Sequence, residues 1–460
     1  MRSLISKNNF ILGGIILLVI IVSFQTLTTK PGLWVDEAKT ILLARSYANY
    51  GTLDIEVSPG RYSKVKPLLQ STGYPTSIPL AFLFRIFGES FELARVYMLA
   101  WMCIALIGIY FFSLQFGDKK QALFSVALVA SFASFHDSGR TVVGEIPGFI
   151  FLLAGLYYWI KRGEYIGAGF FLSLALVTKP SVYLSVVPAI ILVVLFEDGL
   201  LREKFVRLAR VFLGSLPPVL FWITFSIDRA SQSGTFNQVL HFLSNPYGSS
   251  SFHNIWLNVL AIPFSTTLIY FSLLGVVSVF AYRKTSDVPV RKLYVFFWIY
   301  LFFAFVYYLR SPGWLRYLLA SELLLLIILP CASRVITKHW RLGVSLLVIF
   351  QIYHFFNLAQ IQYSDATISL ADEVNNNYIG ERVGLVNAIE IASLLPYANI
   401  EQVIEMDGIP KMGINPLLSD PPPHIVITAK DISHFGGEDV LINKYKLILS
   451  DKGYSLYVAK

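Results

Sequence analysis

Long blocks of apolar residues, separated by short polar stretches, constrain this chain more than any other feature. Hydrophobic residues make up 55% of its 460 residues and charged residues only 14%, against about 25% charged in an ordinary soluble domain. A soluble protein has no interior large enough for so much apolar surface, so the composition excludes a cytosolic enzyme. The 36 phenylalanines and 25 tyrosines exclude a disordered chain, because such chains are poor in aromatic residues.

A helix needs about 20 apolar residues to cross the hydrocarbon core of a bilayer. The blocks therefore predict a mainly α-helical, polytopic membrane protein with about eleven transmembrane helices. These lie near residues 10–27, 96–115, 121–135, 146–160, 165–178, 181–196, 207–226, 257–282, 293–309, 314–330 and 342–359. The first block lacks a small-residue cleavage site, so we expect it to stay in the protein as an anchor.

Lysine and arginine residues between the blocks predict the orientation through the positive-inside rule. With the N-terminus in the cytoplasm, every inner loop is basic, whereas the short outer loops hold only single cations. The same rule explains the net charge of +8 without a nucleic-acid partner. We therefore expect an integral protein of the plasma or cytoplasmic membrane, with its soluble parts outside the cytoplasm.

Two domains are predicted. Residues 1–360 form a transmembrane domain that includes a long first outer loop, residues 28–95, and residues 361–460 form an extracytoplasmic domain. In the tail, strand-like runs alternate with polar stretches, which is typical of a small α/β domain. The runs cover residues 382–386, 424–428, 445–449 and 454–458, with a helix over residues 388–396.

Charges near membrane level are costly, so each one on the outer side needs an explanation. Asp36 and Glu37 follow the first block directly. One explanation is an acidic first turn of a helix over residues 38–49, which the helix dipole favours. The other is catalysis, with a carboxylate taking the proton from an acceptor hydroxyl.

Further outer residues supply a carboxylate and several cations. Glu145 opens a span, either as a first-turn acid or as part of a site. Lys179 lies in a very short hairpin, either as a snorkelling lysine or as a cation for an anionic substrate. Arg310 and Arg316 place two guanidinium groups at the outer ends of two spans, and arginine grips phosphate with a bidentate fork. A base together with a phosphate clamp is what transfer from a phosphate-linked donor requires.

At these residues the chain resembles the GT-C membrane glycosyltransferases, most closely the group of protein O-mannosyltransferases and aminoarabinose (lipid A) transferases. The resemblance covers roughly residues 5–330, and the tail is similar only in position and general style. The matching motifs, in the order of that family, are Asp36-Glu37-Ala38 with Ala44-Arg45, Gly73-Tyr74-Pro75 through Gly88-Glu89 and Arg95, Gly139-Arg140-Thr141 through Glu145-Ile146-Pro147, Thr178-Lys179-Pro180, and Arg316-Tyr317.

The resemblance implies an inverting glycosyltransferase that moves a monosaccharide from a polyprenyl-phosphate donor to an acceptor hydroxyl of a protein, a lipid or a cell-envelope glycan. Asp36 is then the base, with Glu37 beside it, and Glu145 is a ligand of the acceptor or of a metal. Lys179 and Arg316 hold the donor phosphate. The remaining substrate-binding candidates are Arg140, Tyr317, Arg310 and Lys66.

The chain departs from the family at three places and leaves a metal open. Tyr74-Pro75-Thr76-Ser77-Ile78-Pro79-Leu80 stands where relatives have a more compact Pro-Pro-Leu. Glu145 stands where relatives often have Asp, and Lys66 is eight residues before Tyr74, whereas some relatives have a lysine just before that stretch. The outer histidines His136, His241 and His253 have no diagnostic spacing. A divalent metal is therefore an open question, and no metal ligand is predicted.

Two other functions stay open at this stage. One is a transporter or flippase for a lipid-linked sugar, although such proteins usually bury charge at the membrane midplane and contain inverted repeats. The other is a glycan ligase or non-catalytic subunit of the same superfamily. The polar loop 227–255 is either a lid over the cavity or a plain surface loop.

Overall fold

The computed structural model describes residues 7–63, 72–226, 251–359, 366–395, 399–406, 409–429, 438–451 and 453–460. Helices make up most of the chain before residue 360, and a small sheet with short helices follows. The helices of the first part are α1 (Lys7–Phe24), α2 (Val35–Tyr50), α3 (Tyr74–Phe87), α4 (Phe91–Ser113), α5 (Lys119–Ala130), α6 (Ala133–Arg140), α7 (Glu145–Tyr157), α8 (Tyr165–Thr178), α9 (Pro180–Tyr183), α10 (Val186–Phe196), α11 (Leu201–Ser226), α12 (Ser251–Ala261), α13 (Thr266–Lys284), α14 (Val288–Arg310), α15 (Leu319–Ile336) and α16 (Trp340–Asn357).

Several of these helices are long and apolar enough to cross a membrane. Among the described residues five qualify by length and composition, namely Phe91–Ser113, Leu201–Thr224, Thr266–Lys284, Val288–Arg310 and Leu315–Ile336. A sixth qualifies if α6 and α7, bent by 109°, count as one span with the π-turn to Arg162. The polytopic, mainly helical architecture is therefore confirmed, while the number of about eleven spans stays a prediction.

Shorter apolar helices occupy several other predicted spans. They include Asn8–Phe24, Tyr165–Thr178 and Pro180–Phe196. The predicted span 121–135 corresponds to α5, which has only 12 residues and starts with a capping box between Asp118 and Gln121. The chain then turns at Phe132 into α6. The predicted span 121–135 is therefore not one continuous helix.

The loop predicted over residues 28–95 contains further ordered elements besides the helix predicted over residues 38–49. Helix α2 is followed by a hairpin of β1 (Glu56–Ser58) and β2 (Arg61–Tyr62), which pair antiparallel. Helix α3 then leads into α4, whose N-terminus is capped by the Ser90 side chain accepting from the Leu93 amide at 3.0 Å.

The tail forms a six-stranded mixed sheet, which confirms the small α/β domain; its boundary at residue 361 stays a prediction. The strand order is β5-β4-β3-β6-β8-β7, with β3 parallel to β4 and β6 and the other pairs antiparallel. The predicted strands and helix are present, whereas β4 and β5 were not predicted. The elements are α17 (Ala366–Asn377), β3 (Arg382–Val386), α18 (Ile389–Leu394), β4 (Asn399–Met406), β5 (Ile409–Gly413), β6 (Ile425–Ala429), α19 (Glu438–Lys444), β7 (Tyr445–Asp451) and β8 (Tyr454–Ala459).

The sheet domain packs onto the first outer loop through α18 and α2. Ala38 and Ile41 of α2 share one buried cluster with Ile389 and Ala392 of α18. Arg45 of α2 donates to the carbonyls of Ala392 and Ser393 at 3.1 and 2.8 Å, which satisfies acceptors at the end of that short helix. Helix α2 is therefore held between the membrane helices and the sheet domain.

Candidate functional site

The site is built around the first turn of α2. Asp36 lies in that turn, where the positive end of the helix dipole stabilises a carboxylate. Its Oδ2 accepts from Nη2 of Arg316 at 3.1 Å, and its Oδ1 lies 3.7 Å from Nζ of Lys39, one turn further along the helix. All three side chains are mostly buried, so these ion pairs are only weakly screened by water.

Aromatic rings hold the Arg316 guanidinium in place. Its central carbon lies 4.1 Å from the Trp34 ring centroid, 4.8 Å from that of Trp314 and 5.6 Å from that of Tyr317. Such cation–π contacts favour a charged group that is largely removed from water. Arg316 is therefore fixed as a cation beside Asp36, and Tyr317 contributes to the site through this packing.

A second, fully buried ion pair joins Glu145 and Lys179. Glu145 Oε1 lies 3.5 Å from Lys179 Nζ, with side chains 1% and 0% exposed. This separation is too long for a good hydrogen bond. Among the described residues, neither carboxylate oxygen of Glu145 nor Nζ of Lys179 has a hydrogen-bond partner. Since buried polar groups are normally satisfied, this pair has bonding capacity left for a ligand.

The two ion pairs belong to one cluster of charges. Lys179 interacts electrostatically with Asp36 and Arg316 as well as with Glu145. Lys39 interacts with Asp36 and with Lys179. Burial lowers the pKa of the Lys39 ammonium, and the neighbouring Asp36 carboxylate opposes that shift.

Two glycines allow the hairpin that carries Lys179 to approach the other motifs. The Gly73 amide donates to the Thr178 carbonyl at 2.9 Å, and a Cβ on Gly73 would lie 1.8 Å from the Val177 carbonyl oxygen. A Cβ on Gly144 would lie 2.4 Å from the Thr178 oxygen. Backbone contact this close requires glycine, so three motifs far apart in sequence meet at one turn.

Glu37 is paired in a different direction from Asp36. Its two carboxylate oxygens each accept from Arg95 at 2.6 Å, and one also accepts from the Val142 amide at 3.0 Å. Both charged side chains are 0% exposed. Arg95 also donates to the carbonyls of Leu27 and Pro31. Because neighbouring residues on a helix point about 100° apart, Glu37 anchors α2 against α4 while Asp36 faces Arg316.

Arg140 and Arg310, which were also predicted as site residues, have other hydrogen-bond partners. Arg140 is buried and donates to Thr26 Oγ1 at 2.8 Å and to the His136 carbonyl at 3.0 Å. Arg310 ends α14, where its carbonyl accepts from Asn254 at 3.0 Å. Lys66, like His241 and most of the loop 227–255, lies outside the described residues.

Three charged side chains near the site were not predicted from the sequence. Lys39 stands three residues after Asp36, a spacing at which helix side chains meet. Asp137 interacts electrostatically with Arg140, Glu145 and Arg316, and it stands two residues before the Gly139-Arg140-Thr141 motif. Glu390 of the sheet domain interacts with Lys39, and no signal in the sequence links those two positions.

The sequence left a divalent metal open, and the described side chains were compared with the ligand sets that metals need. No group of three or more His, Cys, Asp or Glu residues that could hold a metal ion occurs in the described part of the chain. Asp36 and Glu145 each face a cation instead.

Comparisons with known proteins identify the fold. The family model described as dolichyl-phosphate-mannose-protein mannosyltransferase matches residues 77–222. The crystal structure of ArnT from Cupriavidus metallidurans bound to undecaprenyl phosphate aligns with 98% of this chain and 98% of its own, with a TM-score of 0.67 and 12% identity. The chain has the GT-C fold.

A second solved structure is also similar to this chain. The archaeal oligosaccharyltransferase AglB from Archaeoglobus fulgidus, in complex with an inhibitory peptide and a dolichol-phosphate, aligns with 98% of this chain and 74% of its own. Its TM-score is 0.56 at 10% identity. No curated protein matches this chain in a sequence search. The resemblance to the GT-C superfamily stated from the motifs is confirmed.

Proposed function

We propose that this GT-C protein is an inverting glycosyltransferase that moves one sugar from a polyprenyl-phosphate donor to an acceptor hydroxyl outside the cytoplasm. The observation that carries the proposal is the buried cluster of Asp36, Arg316, Glu145 and Lys179, with unused hydrogen-bonding capacity at the last two. Similarity to proteins solved with undecaprenyl phosphate and with dolichol-phosphate supports a lipid-phosphate donor.

The cations of the cluster favour a donor with an anionic phosphate. Arg316 lies beside Asp36, and Lys179 lies beside Glu145. Phosphate oxygens supply the strong, charge-assisted acceptors that a lysine ammonium binds. Among the described residues Lys179 Nζ makes no hydrogen bond, and its ion-pair contact with Glu145 is 3.5 Å long.

The reaction uses the Asp36 carboxylate for the acceptor and the cations Arg316 and Lys179 for the donor. The acceptor oxygen attacks the anomeric carbon while the bond from that carbon to the phosphate oxygen breaks. The acceptor proton passes to Asp36, and the electron pair leaves with the polyprenyl phosphate. Arg316 and Lys179 stabilise the charge that develops on this leaving group, which lowers the barrier. A single displacement inverts the anomeric centre, since no second carboxylate is assigned as a nucleophile.

The proposal is tested by supplying the purified protein, in lipid vesicles, with acceptor extracts and with a panel of polyprenyl-linked donors that includes both monosaccharides and preassembled glycans. Mass spectrometry is expected to find one added sugar on one acceptor class, and NMR to find an inverted anomeric centre. Addition of a preassembled glycan would favour a ligase. Movement of the donor across the bilayer without transfer would favour a flippase and contradict the proposal.

A further inference from the structure

An open cavity lies at the end of α7 and α8 that is far from the candidate site. Glu145 opens α7, and a π-helical turn, Tyr158–Arg162, follows it. Glu145 and Arg162 are separated by about 26 Å along this helix at 1.5 Å per residue, which is close to the thickness of the hydrocarbon core, about 30 Å. The cavity therefore belongs to the leaflet opposite to the site, which is the cytoplasmic leaflet in the orientation predicted from the sequence.

The cavity has a volume of about 770 Å³ and lies between the π-turn, the start of α8 and the middle of α11. Its lining includes Tyr158, Arg162, Glu164, Tyr165, Ile166 and Arg210. The π-turn contributes the first two of these residues. Such turns are rare in helices and occur frequently at functional sites.

Two glycines bring α11 against the start of α8. A Cβ on Gly169 would lie 2.0 Å from the Val211 carbonyl oxygen, and a Cβ on Gly214 would lie 2.0 Å from the Ile166 carbonyl oxygen. Small residues permit this close backbone approach between membrane helices. Arg210, which directly precedes Val211, is thereby placed beside the start of α8.

Other charged residues near the cavity are already paired with one another. Glu197 forms ion pairs with Arg207 and Lys292, each at 2.8 Å, and it accepts from the Tyr165 hydroxyl at 3.2 Å. Glu203 lies 3.8 Å from Arg207. These carboxylates therefore already have cations of their own.

Arg162 and Arg210 form no ion pair within the part of the chain that the structure describes. The Arg162 guanidinium has a long contact, 5.9 Å, with the Tyr157 ring. Glu164 is the carboxylate that lines the cavity with the two arginines. It is exposed and makes no capping hydrogen bond to α8. The lining therefore has an excess of positive charge, supplied by guanidinium groups that suit phosphate.

Apolar side chains continue from the cavity along both helices. Arg210 is the last charged residue of α11 before the uncharged stretch 211–226. Ile166 is exposed, and so are Phe170 and Leu213, one turn further along α8 and α11. Only 11% of the most apolar stretch of α11 is buried inside the protein. A lipid would use this surface for its chains, whereas a soluble phosphate would not.

We propose that this cavity binds the phosphate of an anionic phospholipid in the leaflet opposite to the candidate site. Arg162 and Arg210 bind the headgroup, as basic pockets between membrane helices do, and the acyl chains lie along α8 and α11. The bound lipid contacts the two helices that carry Glu145 and lead to Lys179. This inference does not depend on the proposed glycosyltransferase function.

Native mass spectrometry of the full chain in detergent, titrated with phosphatidylglycerol, tests the proposal by measuring the affinity of the first bound lipid. Arg162→Gln and Arg210→Gln are each expected to weaken this binding by roughly fivefold, and the double variant by roughly ten- to thirtyfold. Glu164→Gln is expected to strengthen it by about two- to fivefold, because the competing carboxylate is removed.

Three controls separate the cavity from general attraction. Arg202→Gln removes an exposed arginine of the same helix that does not line the cavity, and it is expected to match the wild type. Phosphatidylcholine, whose headgroup has no net charge, is expected to bind more weakly and to be insensitive to Glu164→Gln. Inorganic phosphate is expected not to displace phosphatidylglycerol. Thermal unfolding verifies the fold of each variant, and if the double variant does not fold, the single variants decide.

Unchanged phosphatidylglycerol binding in the folded arginine variants would overturn the inference. Equal weakening by Arg202→Gln would also overturn it, because the attraction would then not belong to the cavity. Displacement of the lipid by an equal concentration of inorganic phosphate would assign the cavity to a soluble anion and contradict a lipid site.

Discussion

The buried pair of Glu37 and Arg95 gives a prediction that separates anchoring from catalysis. Arg95→Met removes both 2.6 Å contacts to Glu37 and leaves that carboxylate, 0% exposed, with only the 3.0 Å bond from the Val142 amide. Removing one partner of a buried ion pair costs roughly 3–5 kcal/mol, because the other charge stays buried without compensation. We therefore expect Arg95→Met to lower the free energy of unfolding by about that amount.

The double variant Glu37→Gln with Arg95→Met removes both charges together. It is expected to lose clearly less stability than the sum of the two single variants, because no unpaired charge remains. An exposed pair of similar length provides the control. Arg334 and Asp118 are 2.7 Å apart but 53% and 43% exposed, so Arg334→Met is expected to cost less than about 1 kcal/mol.

The assay is unfolding of the detergent-solubilised protein, followed by tryptophan fluorescence, alongside sugar transfer. Anchoring predicts that Glu37→Gln loses stability and activity together. The reasoning would be refuted if Arg95→Met were as stable as Arg334→Met. It would also be refuted if Glu37→Gln kept full stability and lost transfer, since Glu37 would then act in the chemistry.

Two further predictions concern the Lys179 hairpin. Lys179→Met is expected to weaken donor binding by roughly 10- to 100-fold, which is the loss for a hydrogen bond to a charged group. The measurement is a direct binding assay with a polyprenyl-phosphate sugar. Lys284→Met removes an exposed cation elsewhere and is the control, and equal weakening by both variants would contradict the prediction. Gly73→Ala is expected to cost roughly 1–3 kcal/mol of stability and to reduce transfer, because the new Cβ meets the Val177 carbonyl at 1.8 Å. Gly13→Ala, with nothing within 4 Å of its Cβ, serves as the control, and equal unfolding temperatures for both variants would show that the close approach is not required.

Much of the architecture could be predicted because lipid imposes a simple rule. A segment in the hydrocarbon core must be apolar and must satisfy its backbone internally, so long apolar blocks indicate spans without knowledge of their packing. The same rule indicates neither bends nor helix lengths. Residues 121–135 and 146–160 looked like two spans, yet the described helices there are a short α5 and a pair bent by 109°.

The motifs predicted which residue types matter but not how they pair. The sequence could not show that Glu37 faces Arg95 while Asp36 faces Arg316 280 residues away. Helix geometry alone separates the two carboxylates by about 100°, but the choice of partner depends on packing. The contacts of Gly73 and Gly144 with the Lys179 hairpin depend on backbone positions that no side-chain pattern reveals.

The sheet domain was predicted from β-branched runs between turn residues, and strands β4 and β5, which lie together at one side of the sheet, were missed. The segment Ile409–Gly413 contains a proline and a lysine, which weaken a strand signal. The packing of α18 against α2 was beyond prediction for a different reason, since it joins two parts of the chain whose docking the sequence does not encode locally.

The central claim is that Asp36 takes the acceptor proton while Arg316 and Lys179 hold the donor phosphate. The most direct test measures donor binding and single-turnover transfer in Asp36→Asn. The account predicts a folded protein that binds the donor at least as tightly as the wild type, since Arg316 loses a competing carboxylate, and transfers sugar roughly 10²- to 10⁴-fold more slowly. Transfer by this variant at the wild-type rate would contradict it.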